Sequence, residues 1–160
     1  MHLANEMQRL RAEHAALTTL SAFLTAMVEA PEPPRPTELA AVRGMLRDTL
    51  VRHLKCEDWI LYPRLMRSGD VSAAMLARSF ELEMGGIASD FAAYDLRWTI
   101  ELAVADWGAY RTETAAILAA LASRIAREDR ELYPLVDALD AACLPPPPRT
   151  AIRGAATISS

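Results

Sequence analysis

The chain has 160 residues, enough for one domain with a full core. Apolar residues make up 52% of it, the formal net charge is −4, and Lys55 is the sole lysine, so no basic face marks it as a nucleic-acid binder. No run approaches the roughly 18 uncharged apolar residues of a membrane span. The polar N-terminal stretch does not read as a signal peptide, and two cysteines in separate contexts, Cys56 and Cys143, fit a reduced, cytoplasmic protein without disulfides.

Abundant Ala and Leu with scarce Gly predict an all-helical fold. Apolar groups at helical spacing predict a first helix over about residues 4–29, with Met7, Leu10, Leu17, Leu24 and Val28 on one stripe and His14 inside it. Pro31, Pro33, Pro34 and Pro36 end it, because proline lacks the amide donor and clashes with the preceding turn. Thr37 is the expected cap of a second helix over 37–62, with Val42, Leu46, Leu50, His53, Glu57 and Ile60 facing inward and Pro63 bending or stopping it. Ser68, Gly69 and Asp70 read as a turn.

A third helix is expected over 72–95, with Leu76, Phe80, Met84, Ile87, Phe91 and Tyr94 inside and Gly85-Gly86 marking a kink or a close helix approach. The stretch 96–105 reads as an irregular connection. Asp106 then caps a fourth helix over 107–132, with Trp107, Tyr110, Thr114, Ile117, Leu121, Arg124 and Glu128 inside, ending near Pro134. A short helix to about Ala142 follows, and Pro145 to Pro148 open a flexible tail. The expected fold is thus all-α: an antiparallel up-down-up-down four-helix bundle over 1–143 with a short C-terminal helix, and a Pro-rich tail over 144–160.

Two stretches of the chain nearly repeat each other. One carries His53, Glu57, Asp58, Leu61, Tyr62 and Pro63, and the other carries Arg124, Glu128, Asp129, Leu132, Tyr133 and Pro134 at the same spacing. Upstream, Glu13-His14 stands before the first copy almost as far as Glu83-Met84 stands before the second. A His and a Glu four residues apart lie on one helix face, one turn apart, where they can share a metal ion. Cys56 lies about 100° around the helix from Glu57, which favours packing over metal ligation.

In motif and register the chain resembles the hemerythrin-like, or HHE cation-binding, family over about residues 10–135. That family carries a His on the first helix, H-x3-E on the second, a His on the third and a second H-x3-E on the fourth, each H-x3-E followed by Leu-(Tyr/Phe)-Pro. The resemblance implies that His14, His53, Glu57 and Glu128 are metal ligands, and that Met84 and Arg124 stand where two further histidines would be. In the family, the first two histidines serve one iron and the other two the second, with the carboxylates bridging. Both replacements therefore fall on one metal. The resemblance implies at most one ion, with a nitrogen-and-oxygen ligand set suited to Fe(II), Mn(II) or Zn(II), and argues against an oxygen-carrying di-iron site.

Arg124 is expected to stand in for the missing ion by pairing with both Glu57 and Glu128, and Met84 to fill the space of an imidazole. Tyr62 and Tyr133 are expected to pack at the bundle end, Trp98, Trp107 and Tyr110 to pack in the core or at helix ends, and the run Arg127 to Glu131, Glu128 apart, to be solvated surface. Three functions compete: a non-enzymatic protein holding one metal ion, as a metal or redox sensor; a metal-free bundle that contacts another protein; and a mononuclear non-haem iron enzyme acting on oxygen or peroxide. No nucleophile-and-base pair supports another enzyme class, and the first reading is preferred.

Overall fold

A computed structural model describes residues 3–142; Cys143 and the expected tail at 144–160 lie outside the described residues. Four long helical rods form an all-α bundle, and no strand occurs among the described residues. The first rod is α1 (Leu3–Glu29). The second joins α2 (Pro36–Cys56) through a π-helical turn (Glu57–Leu61) to α3 (Tyr62–Met66). The third is α4 (Val71–Arg97), followed by the short α5 (Ile100–Ala105). The fourth joins α6 (Trp107–Arg127) through a second π turn (Glu128–Leu132) to α7 (Tyr133–Ala142). Helix α1 packs on α2 and α6, and α4 packs on α3 and α6.

The links follow local chemistry. Pro36 occupies the first turn of α2, where its missing N–H would be unpaired anyway, and Arg35 precedes it without a side-chain cap. Thr37 is therefore inside the helix and not its cap. Gly69 adopts φ 81°, which turns the chain into α4. Asp70, Thr99 and Asp106 each accept a backbone N–H at the start of α4, α5 and α6. The stretch 96–105 is thus not an irregular connection, since Thr99 caps a helical turn and a half there.

Neither Pro63 nor Pro134 ends its helix. A proline has no N–H and crowds the carbonyl four residues back. The chain accommodates this by widening the preceding turn: Tyr62 N–H donates to the Glu57 carbonyl, and Tyr133 N–H to the Glu128 carbonyl, each five residues back. In an unbroken α-helix Tyr62 would sit about 140° around from Glu57. The widened turn brings Glu57, Leu61 and Tyr62, and likewise Glu128, Leu132 and Tyr133, into the interior together.

The core is in two parts. One cluster gathers Leu17, Leu24, Leu46, Leu50, Tyr94, Trp98, Trp107, Tyr110 and Leu121 at one end. The other gathers Met7, Leu10, Leu61, Tyr62, Phe80, Leu132 and Tyr133. In sequence, His14 falls between Leu10 and Leu17, His53 between Leu50 and Leu61, and Arg124 between Leu121 and Leu132, so buried polar residues separate the two clusters. Two inner faces differ in detail from the periodic reading. Leu118 is buried where Ile117 was expected, and Ala73 and Ala77 are buried while Leu76 and Ile87 are half-buried.

Gly85 and Gly86 do not interrupt α4 and do not mark a close helix approach: the helix is continuous through them, and a Cβ at either would meet no atom within 4 Å. Both are ordinary helix-interior glycines, which cost flexibility without a packing return. Gly85→Ala and Gly86→Ala should each raise unfolding free energy by about 0.5–1 kcal/mol in urea titration. A loss of stability in either would show that the glycine is needed for a contact.

Candidate metal centre

His14, His53, Glu57 and Glu128 are all buried, and one ligand atom from each lies within 4.8 Å of every other. Each reaches the layer from a different part of the chain: α1, α2 and the two π turns. Met84 and Arg124 are buried as well, at 3% and 2% exposure. None of the four repeat-related positions, 14, 53, 84 and 124, points to solvent.

Both imidazoles turn Nδ1 outward to a carboxylate and Nε2 inward. His14 Nδ1 lies 2.7 Å from Asp129 Oδ1, and its Nε2 lies 3.0 Å from Glu128 Oε2 and 3.0 Å from the Tyr133 hydroxyl. His53 Nδ1 lies 3.5 Å from Glu13 Oε2, while its Nε2 faces Glu57 Oε1 at 3.6 Å and Glu128 Oε2 at 3.9 Å. These last distances are too long for hydrogen bonds. Both nitrogens of His53 are buried without a hydrogen-bond partner. Such unmade bonds in a dry interior commonly cost about 1–3 kcal/mol each.

A cation between the two imidazoles and the two carboxylates would satisfy His53 Nε2, neutralise the acids and meet a borderline donor set of two nitrogens and carboxylate oxygens. The residues present fit such an ion. Carboxylates behind ligating imidazoles, as Glu13 and Asp129 stand here, orient the ring and raise its basicity. Cys56 takes no part: its thiol points to Glu6 Oε2 at 3.6 Å, and burial together with the Glu6 charge pushes it up to about 11.

Arg124 occupies the opposite flank. Its Nε donates to Glu128 Oε1 at 2.5 Å, Nη1 to Glu83 Oε2 at 3.2 Å, and Nη2 to the Phe80 carbonyl at 2.8 Å and the Tyr62 hydroxyl at 3.3 Å. The guanidinium also lies 4.2 Å from the centre of the Phe80 ring. The expected pairing with Glu57 is not direct. Arg124 reaches Glu57 through Tyr62, whose hydroxyl donates to Glu57 Oε2 at 3.2 Å, because the π turn places the phenol between them.

Several participants escaped the sequence reading. Tyr62 and Tyr133 line the centre: Tyr133 donates to Glu57 Oε1 at 3.3 Å, and burial beside Glu57 and Glu128 raises both phenols, keeping them as donors. Asp129 is not merely solvated surface, and Arg127 lies over Phe80 and pairs with Glu83. The spacing of Glu13 and Glu83 was visible in the sequence, but not that each would face the residue repeated on the next helix.

The two central carboxylates are driven apart. Burial, and then the charge of Glu128, raise Glu57 well above the usual carboxylate range, against the pull of Arg124 and the two tyrosines. Burial also opposes ionised Glu128, but the hydrogen bond from His14 and the charge and hydrogen bond of Arg124 outweigh it and hold that carboxyl at about 2. His14 is disfavoured as a cation by burial, yet Glu128 and Asp129 raise it above its ordinary value. Without metal, the centre therefore favours a proton on Glu57 over one on Glu128.

The linkage has opposite signs for the two acids. Glu128, held low, adds stability that is full above the ordinary carboxylate range and is lost as pH falls toward about 2. Glu57, held high, adds stability that is full below that range and is lost as pH rises from it toward the raised value. Metal-free Glu128→Gln should therefore be less stable than the parent at neutral pH, and Glu57→Gln more stable, in denaturant titrations across pH. Arg124→Ala strands Glu128 and should cost about 3–5 kcal/mol without metal; an unchanged denaturation midpoint would show that the guanidinium is not counterbalancing the acids.

The sequence pattern of the hemerythrin HHE cation binding domain matches residues 5–136. No curated protein and no solved structure gives a significant match. The match spans all four rods and takes in every residue of the buried polar layer. The chain belongs to the hemerythrin HHE cation-binding family.

Proposed function

We propose that this protein binds a single divalent transition-metal ion through His14, His53, Glu57 and Glu128 and acts as a metal-responsive module, not as a di-iron oxygen carrier. The observation that carries the reading is His53: a buried imidazole with both nitrogens unpartnered and Nε2 turned toward two buried carboxylates. Fe(II), Mn(II) and Zn(II) suit this donor set. When bound, the ion would supply the positive charge that the paired carboxylates lack on the histidine flank.

Arg124 supports a stoichiometry of one. Its guanidinium stands on the flank that a third- and fourth-helix histidine would serve, it already engages Glu128 Oε1, and Met84 supplies no imidazole there. Fixed charge at that point repels a second cation. A one-metal centre has no second iron to share the electrons of bound oxygen.

A second reading, a metal-free bundle that docks another protein, has its own support. Helix α4 leaves Val71, Met75, Leu82 and Leu96 largely exposed, and the Arg124 network satisfies Glu128 without metal. It leaves His53 unexplained, and metal binding is therefore preferred.

Titration of the metal-free protein with Co(II), followed by visible absorption and elemental analysis, should reach one ion per chain, and His53→Ala should abolish tight binding. Joint Met84→His and Arg124→His should raise uptake above that of the parent. Apparent affinity should rise with pH, because Glu57 and His14 both hold protons more tightly than usual and must release them to coordinate. Two tightly held ions in the parent, or undiminished binding in His53→Ala, would contradict the proposal.

A further inference from the structure

Most flanks of the centre are sealed. Behind His53, Glu13 Oε1 is clamped by Arg9 at 3.2 Å and Arg52 at 3.1 Å, and Glu13 itself is 7% exposed. Opposite, Arg124 and Phe80 fill the interior, and Leu10 and Leu17 close α1 a turn to either side of His14. Four clefts on the surface are lined by none of the four central residues.

A fifth cleft differs. It measures about 540 Å³, opens between α1 and the second π turn, and is lined by Arg11, His14, Ala15, Thr18 and Asp129. A buried central residue is thus part of the wall of an open cleft. Asp129 joins the two environments: its side chain is 49% exposed, yet Oδ1 lies 2.7 Å from His14 Nδ1. The two histidines are placed differently in consequence: His53 faces a buried carboxylate under two arginines, and His14 is hydrogen-bonded to a carboxylate exposed to solvent.

We propose that this cleft is the passage through which the centre exchanges its cation with solvent, with Asp129 as the carboxylate at its mouth and as the positioning residue for His14. The proposal rests on the metal-binding reading above and adds a route and a residue to it. A hydrated divalent ion gives up water only as oxygen or nitrogen donors replace it. Asp129 offers oxygen at the wet end of the cleft, and His14 offers nitrogen at the dry end. The Arg11 guanidinium at the rim pairs with Asp137 at 2.6 Å and lies 5.5 Å from the Tyr133 ring centre, which partly offsets its charge beside the opening.

The test measures rates as well as affinity, on the full chain with Co(II) alone as the probe. Uptake is followed by stopped-flow absorption, and loss by transfer to excess chelator. Ala15→Trp and Thr18→Trp place an indole in the cleft from exposed helix positions, and Val51→Trp does the same in a cleft that none of the four central residues lines. Both cleft variants should slow uptake and loss severalfold and in equal proportion, with unchanged equilibrium affinity and circular dichroism, while Val51→Trp matches the parent. Asp129→Asn should slow uptake and also weaken binding by about 10–100-fold, as loss of an orienting partner does. Parent-like rates in both cleft variants, with Co(II) still bound, would overturn the passage and leave the metal reading standing. A parent that takes up no Co(II) overturns both.

Discussion

Two carboxylates, Glu57 and Glu128, are buried side by side between two apolar clusters, and the rest of the centre answers that constraint. Two ionised acids cannot share a dry layer without nearby positive charge, since burial and mutual repulsion both favour protonation. The chain meets half of the demand itself. Arg124, with four hydrogen bonds to Glu128, Glu83, Tyr62 and the Phe80 carbonyl, holds one acid ionised. The other acid is pushed toward its protonated form, and the imidazole facing it has no hydrogen-bond partner. In the proposed function, one bound cation would complete the balance on the remaining flank.

The internal repeat explains why the centre divides in this way. Glu13 faces His53 Nδ1 from α1 as Glu83 faces Arg124 from α4, so one carboxylate orients an imidazole and its counterpart anchors a guanidinium. Asp129 holds His14, whereas its counterpart Asp58 has Met84 in the equivalent place and stands near Glu81, whose charge, after burial, raises it. The two halves keep the same supporting acids while their central residues differ: His14 and His53 stand in one half, Met84 and the fixed charge of Arg124 in the other. Arg124→Ala and His53→Ala are for that reason changes of the same kind, each removing the group that meets one side of the pair.

Much of this was legible in the sequence because helical periodicity and a repeated motif report directly on which residues share a face. His14, His53, Glu57 and Glu128 were named from spacing and family resemblance, and the structure brings those four together. Less visible was whatever depends on backbone irregularity. Pro63 read as a bend or stop and Pro134 as a helix end, but each is carried by a π turn, and that turn rotates Tyr62 and Tyr133 from the bundle end into the centre. The same rotation interposes Tyr62 between Arg124 and Glu57, which simple one-turn spacing could not anticipate. Asp129 was hidden for another reason: a half-exposed acid in a charged run looks like surface until its partner on a helix distant in sequence is known.

The central claim is that His14 and His53 would hold one cation through Nε2 while their Nδ1 atoms still face Asp129 and Glu13. Ring-nitrogen ¹⁵N chemical shifts of His14 and His53, followed while Zn(II) is added to the metal-free protein, test it most directly. The account predicts that both Nε2 resonances move to metal-bound positions, that both Nδ1 resonances stay protonated, and that the change is complete at one Zn(II) per chain. Ring resonances that do not move on addition of Zn(II), or a response in only one of the two imidazoles, would contradict it.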